Sequence, residues 1–227
     1  MPYTPQQVAR TIDHAVLKPE LTPSDVRQQA AMCRKRGIGA LCVRPCDVRI
    51  AATELAGSTC SVCAVIGFPH GASRSEAKAF EAELAIADGA VELDMVINIG
   101  RLRAGEHEAV RQDIEAVVAV AHQAGTLVKV ILETCLLTPA EIAQACRIAR
   151  DAGADYVKTS TGFAGGGATP EAVAIMLETV GDDLKIKASG GIRDWQTAVA
   201  FLDQGCSRLG IGDSATVLDG GQSTTDY

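Results

Sequence analysis

A short pattern recurs along this chain: a glycine suited to ending a helix, followed within three residues by a brief apolar run. It stands at RGIGALCV (36–43), DGAVELDM (88–95), AGTLVKVI (124–131), AGADYVKT (152–159) and QGCSRLGI (204–211). Glycine enters the left-handed conformation that closes a helix without steric cost, so each copy reads as a helix passing into a strand. Between the copies lie stripes at helical spacing: Val110, Ile114, Val117, Val118 and Ala121; Ile142, Ala145, Cys146 and Ala149; Val173, Met176, Leu177 and Val180. The runs TIDHAVLK, CSVCAVIGF and DLKIKAS add three strands, and Thr22-Pro23, Thr138-Pro139 and Thr169-Pro170 mark helix starts. Eight strands alternating with helices predict an α/β fold, a single-domain (β/α)8 barrel over residues 1–220 with a flexible tail at 221–227. The rival, a doubly wound open sheet, lacks its G-x-G-x-x-G fingerprint at an early strand-to-helix turn.

Composition narrows the class. The chain's 227 residues, 47% hydrophobic, suit one large core. A formal net charge of −7 with no basic cluster excludes a nucleic-acid surface. No stretch approaches the roughly 18 apolar residues of a membrane span, and MPYTPQQVARTIDH has no apolar run of signal-peptide type. The expectation is a soluble, cytoplasmic protein. Its eight cysteines then remain thiols. Cys60 and Cys63 form a lone CxxC, but strand alternation puts them on opposite faces, where they cannot share a metal. Neither metal nor cofactor is expected.

In such a barrel the chemistry belongs to the C-terminal ends of the strands. The spacing predicts that Lys158 ends strand six, Lys187 ends strand seven in KIKASGG, and Asp94 ends strand four in VELDMV. Two ammonium groups on adjacent strands favour the neutral form of one, which makes a competent nucleophile toward a carbonyl. A single rim lysine commonly snorkels to solvent; a pair, each before a Gly/Ser-rich loop, points to a Schiff base. Asp94 suits proton transfer through water or a salt bridge to a lysine.

VKTSTGF with GGAT, KASGGIR, ELDMVINIG, VIGFPHG, KVILET and IDHAVLKP together resemble the deoxyribose-phosphate aldolase family, in order from Ile12 to Gly220. The resemblance implies a metal-independent class I aldolase that reversibly cleaves 2-deoxy-D-ribose 5-phosphate to D-glyceraldehyde 3-phosphate and acetaldehyde. It makes Lys158 the imine-forming residue, Lys187 its perturbing neighbour and Asp94 a proton carrier. Asp13, Cys42, Lys129, Thr159 and Gly162 then lie around the substrate, with the small residues after Lys158 leaving it room. Gly190, Gly191, Arg193, Gly210 and Gly212 fall where the phosphate binds, and Tyr227 matches a tail tyrosine that donates a proton in some members. The family also implies small aldehyde and sugar-phosphate substrates and a homodimer.

This chain departs from the family pattern at four places. Ala15 replaces a threonine, Arg44 a tyrosine or asparagine, and Lys185 a small residue of the same face parity as Lys187. After strand eight, Gly212 and Asp213 stand where two serines are usual, which puts the strength of phosphate binding in question. A related imine aldolase with a less charged acceptor, or a silent phosphometabolite-binding barrel, are the alternatives. Cys42, His14 and His70 also carry plain structural readings, a buried thiol and ordinary hydrogen bonding.

Overall fold

All five glycines of the repeated joint, Gly37, Gly89, Gly125, Gly153 and Gly205, take positive φ, between 68° and 115°, in the computed structural model, which describes residues 3–224. Each turns the chain from a helix or its last turn into the next strand. The strands are β1 (Ile12–Val16), β2 (Ala40–Val43), β3 (Ser61–Ile66), β4 (Glu92–Val96), β5 (Leu127–Ile131), β6 (Tyr156–Lys158), β7 (Lys185–Ser189) and β8 (Arg208–Ile211). The helices are α1 (Pro5–Ala9), α2 (Pro23–Arg36), α3 (Val48–Leu55), α4 (Ser75–Ala87), α5 (Ile99–Arg103), α6 (His107–Gln123), α7 (Pro139–Asp151), α8 (Pro170–Val180), α9 (Trp195–Gln204) and α10 (Ser214–Leu218). Strands pair in parallel in sequence order, and β1 pairs with β8 to close the barrel. The Thr-Pro steps start helices as expected: Thr22 and Thr138 complete capping boxes, and Thr169 accepts from the Ala172 N–H at 3.1 Å.

The apolar core lies between barrel and helices. Leu41, Ile66, Leu93, Val130, Ile186 and Leu209 point outward from the strands and meet Val26, Ile114, Val117, Met176 and Phe201 from the helices. Burying each such side chain contributes about 1.5–3 kcal/mol. The barrel interior is different. Ala15, Leu17, Ala40, Cys42, Cys63 and Val65 form a small apolar patch on the β1–β3 side, and charged side chains fill the rest. Cys60 falls in the outer core and Cys63 in the inner patch, so the CxxC is split across the sheet.

Two expectations about strand ends need correction. Lys158 does end β6, but β7 runs on past Lys187 to Ser189, and β4 runs past Asp94 to Val96. Alternation gives the face a residue points to, whereas its height along the barrel follows from the stagger between strands. The register sets Lys158 beside Lys187 and Asp94 beside Lys129.

Candidate active site

Asp94 is the centre of the buried network. Its Oδ2 accepts from Lys158 Nζ and from Lys187 Nζ, each at 2.7 Å. Its Oδ1 accepts from Lys129 Nζ at 2.9 Å. Lys129 also lies 2.6 Å from Glu92 Oε2 and 3.3 Å from Asp13 Oδ2. Asp13 accepts a hydrogen bond from Lys187 and another from Arg208 Nη1 at 2.6 Å, while Arg208 Nη2 reaches Glu92 Oε1 at 2.6 Å. Asp13, Asp94, Lys129, Lys158 and Lys187 each expose 1% or less. Lys129, which alternation alone did not orient, points inward.

Burial penalises every charge here, and the outcome depends on what faces it. Burial pulls the Asp94 carboxyl upward, but Lys129, Lys158 and Lys187 outweigh it and hold the group well below the usual carboxylate range. Burial is likewise outweighed at Asp13 by Lys129, Lys187 and Arg208, with a net downward shift. Burial pushes Lys129 and Lys187 down, yet Asp13 and Asp94 reverse this and hold both well above the ordinary lysine value. Those two lysines stay protonated.

The glycines divide into two kinds. Gly190, Gly191, Gly210 and Gly212 line a small cradle with Ile192, Arg193, Asp213 and Ser223, at the ends of β7 and β8. A Cβ on Gly210 would lie 2.4 Å from Ser189 Oγ and 2.9 Å from Ser189 Cβ, so the bare backbone there makes space for the serine. Gly166 and Gly167, in the loop after β6, serve packing instead: a Cβ would come within 2.5 Å of Cys135 Cβ and 2.3 Å of the Gly190 carbonyl oxygen, respectively. The small residues after Lys158 therefore allow loops to touch.

Other expected residues fall outside the ion network. Thr159 Oγ1 donates to the Ser189 carbonyl at 3.0 Å and accepts from its N–H at 2.9 Å, clasping β6 to β7. Gly162 lies in the following turn with φ 87°. Cys42 Sγ stands at the network's edge, 4.0 Å from Asp94 Oδ2. His14 is buried between Ser214 Oγ (2.8 Å) and Gln29 Oε1 (3.0 Å), pulled down to about 4 chiefly by burial; His70 is exposed. Tyr227 lies outside the described residues.

The departures acquire partners. Arg44 donates to the carbonyls of Lys18, Pro19 and Leu21 and to Asp47, clamping the loop after β1. Lys185 lies at the opposite, N-terminal end of the barrel, 5.8 Å from the Tyr156 ring. Asp213 Oδ1 accepts from the Thr216 N–H at 3.3 Å, capping α10. Ala15 belongs to the inner apolar patch. Near it, a cavity of about 360 Å³ opens between Leu17, Val65 and Phe68 on one side and Phe163 on the other, the two rings meeting edge to face at 5.2 Å.

Sequence reasoning missed Glu92, Arg208, Cys63 and Glu133. Glu92 precedes Asp94 by two and Arg208 precedes Gly210 by two, so period-2 alternation already carried both inward. Glu133 follows β5 with φ 60°, and its buried carboxylate accepts from the Thr161 N–H at 3.1 Å and from the Thr161 hydroxyl. It ties down the loop that follows Lys158.

A family model described as DeoC/LacD family aldolase matches residues 7–207. The deoxyribose-phosphate aldolase of Clostridium perfringens is 48% identical over 222 residues, covering 98% of this chain and 99% of the relative. That of Staphylococcus saprophyticus is 49% identical over 219 residues, covering 96% and 99%. Among solved structures, one described as a deoxyribose-phosphate aldolase from Coccidioides immitis superposes with a TM-score of 0.92 at 38% identity, covering 96% of this chain and 86% of that one. A tetrameric deoxyribose phosphate aldolase from Aeropyrum pernix gives 0.89 at 32% identity, covering 95% and 91%.

Proposed function

The chain belongs to the DeoC/LacD family of aldolases, and we propose that Lys158 is its Schiff-base lysine. The enzyme is a class I aldolase that reversibly cleaves 2-deoxy-D-ribose 5-phosphate to D-glyceraldehyde 3-phosphate and acetaldehyde. The observation that carries the assignment is a count of charges. In the barrel interior, among the described residues, Lys129, Lys158, Lys187 and Arg208 face only Asp13, Glu92 and Asp94. Arg208 is permanently charged, and Lys129 and Lys187 are held protonated. Removing a proton from Lys158 balances the cluster.

The neutral amine attacks C1 of the open-chain sugar, and the carbinolamine loses water to give the imine. As the C2–C3 bond breaks, its electron pair moves into the imine and the C3 hydroxyl gives up its proton, releasing the three-carbon aldehyde phosphate. The enamine takes a proton at C2, and hydrolysis frees acetaldehyde and Lys158. Asp94, held far below the usual carboxylate range, is a weak base by itself; its part is to accept from Lys158 and Lys187 at one oxygen, so that protons pass between amines and water across it. Lys187 supplies the neighbouring cation. Asp13 and Lys129 hold Lys187 and Asp94 in place. The cradle of Gly190, Gly191, Arg193, Gly210 and Gly212 receives the phosphate. One feature favours a weaker preference for phosphate than in relatives: the Asp213 carboxylate lines that cradle. The assembly we propose is a homodimer, supported by the exposed Phe80 and Leu84 one turn apart on α4, and light scattering in solution tests it.

Borohydride reduction in the presence of acetaldehyde, followed by peptide mass mapping, tests the nucleophile. The expected adduct is on Lys158, and an adduct on Lys187 overturns the assignment.

A further inference from the structure

Cys42 and Cys63 are free thiols that the imine chemistry does not use. They are Cα partners on neighbouring parallel strands, both buried and both turned into the barrel. Their sulfurs flank Asp94, with Cys63 Sγ 3.2 Å from Oδ1 and Cys42 Sγ 4.0 Å from Oδ2. One donor atom from each of the three residues lies within 4.8 Å of the others. Two thiolates and a carboxylate, with solvent in a fourth position, form a donor set that suits zinc-like divalent ions. We propose that Cys42, Cys63 and Asp94 bind a thiophilic divalent cation of the zinc or cadmium type, and that its occupation blocks Schiff-base formation at Lys158.

The obvious objection is the ring of ammonium groups around Asp94. Thiolate ligation answers it: the ion bonds to two sulfurs, two S–H bonds break and two protons leave to solvent, so the charge of the interior does not change. When the ion takes Asp94, Lys129 keeps Glu92 at 2.6 Å and Lys187 keeps Asp13. An ion on Asp94 Oδ2 competes with both Lys158 and Lys187 for that oxygen, and of the two Lys187 has Asp13 as a second carboxylate. The cavity beside Phe68 and Phe163 borders this patch, since Leu17 and Val65 belong both to its wall and to the inner cluster that holds the two cysteines. The blocking half of the proposal rests on Lys158 as nucleophile; the binding half does not.

The test titrates the reduced full-length chain with Cd2+ in thiol-free buffer, following thiolate-to-cadmium charge-transfer absorption and aldolase rate in parallel. Absorption is expected to rise, and rate to fall, to a common end point at one ion per chain, with a chelator reversing both. Cys42→Ser and Cys63→Ala should each weaken both effects at least about tenfold, with inhibition scaled to the variant's own metal-free rate. Cys60→Ala, altered on the outer side of the barrel, should leave both in place. Cys63→Ser serves where Cys63→Ala does not fold. Absorption that saturates with the rate unchanged overturns the blocking half. Inhibition that survives in Cys42→Ser/Cys63→Ser, or disappears in Cys60→Ala, overturns the site. A chain without aldolase rate refutes the functional reading alone, since the absorption titration still decides whether the ion binds.

Discussion

This molecule buries lysine ammonium groups in two places and treats them differently. Lys78, on α4, sits in the layer between barrel and helices, donating to Asp113 of α6 at 2.5 Å and to the Val96 carbonyl at the end of β4 at 2.8 Å. There, one cation bonds one carboxylate, with Glu81 as a further acidic neighbour. Inside the barrel, Asp94 alone contacts the amines of three lysines, and the carboxylates Asp13 and Glu92 are shared in turn. Burial pulls Lys78 below the ordinary lysine value despite Asp113, whereas Lys129 and Lys187, facing several carboxylates each, are held well above it. Burial of a lysine is thus no mark of catalysis. The distinguishing features of Lys158 are a shared carboxylate, a surplus of one basic group over carboxylates among the described residues of the interior, and a place at the C-terminal end of its strand.

The largest expected effect separates the two sites by activity. Lys187→Leu removes the cation beside Lys158, and kcat should fall by ~10²–10⁴, the range associated with losing a positioned proton-transfer group. The acid limb of the pH–rate profile should move to higher pH, because the remaining amine sheds its proton less readily without that neighbour. An unmoved acid limb would disprove the coupling. Lys78→Met should do the reverse. Stranding the Asp113 carboxylate costs about 3–5 kcal/mol of stability, which thermal unfolding will register, while the folded variant keeps its rate at moderate temperature. If its rate drops as far as that of Lys187→Leu, the two sites are not distinct in kind.

The comparison also shows what can be read from residues in order. The joint glycines make five of the eight strands visible, since a helix end followed by an apolar run is a local signal, and the other three read as apolar runs alone. Lys158, Lys187 and Asp94 stand out because alternation orients them within their own strands. The height of Lys187 and Asp94, one pleat below their strand ends, is not local: it depends on stagger accumulated around the closed barrel. Arg208 pairs with Asp13 only because β8 closes onto β1, and it reaches Glu92 across the interior. Arg44 and Asp213 were visible as departures, but their partners, three loop carbonyls and a helix N–H, could be found only in three dimensions.

Glu133 supplies a third kind of buried carboxyl, one whose described hydrogen bonds come from Thr161 and, at 4.0 Å, the Cys135 thiol, and not from a cation. Its left-handed backbone is a local strain that the Thr161 clasp helps to hold, and Thr161 is three residues from Lys158. Glu133→Gln keeps the shape and weakens the clasp, for which about tenfold in kcat is expected on the scale of one charge-assisted hydrogen bond. The rate of borohydride trapping should fall in step. Trapping at the natural rate, with kcat reduced, would place Glu133 outside the positioning of Lys158.

The smallest lever is a charge open to water. Asp213 is half-buried at the rim, lines the cradle with Gly190, Gly191 and Arg193, and caps α10 through Thr216. Serine at this position keeps a side-chain cap and removes the charge, so Asp213→Ser isolates repulsion from helix stability. Two unit charges ~4 Å apart interact by about 1 kcal/mol in water and about 4 kcal/mol at an effective dielectric near 20; a rim site belongs near the lower figure. The ratio of kcat/KM for 2-deoxyribose 5-phosphate over 2-deoxyribose should therefore rise about fivefold, and further in Gly212→Ser/Asp213→Ser, which adds a second hydroxyl donor. Raising the salt concentration should shrink the difference between the natural chain and Asp213→Ser, because exposed charges are screened within about 8–10 Å. A ratio that stays flat in both variants would leave Asp213 as a helix cap, with phosphate preference set by the glycine cradle and Arg193.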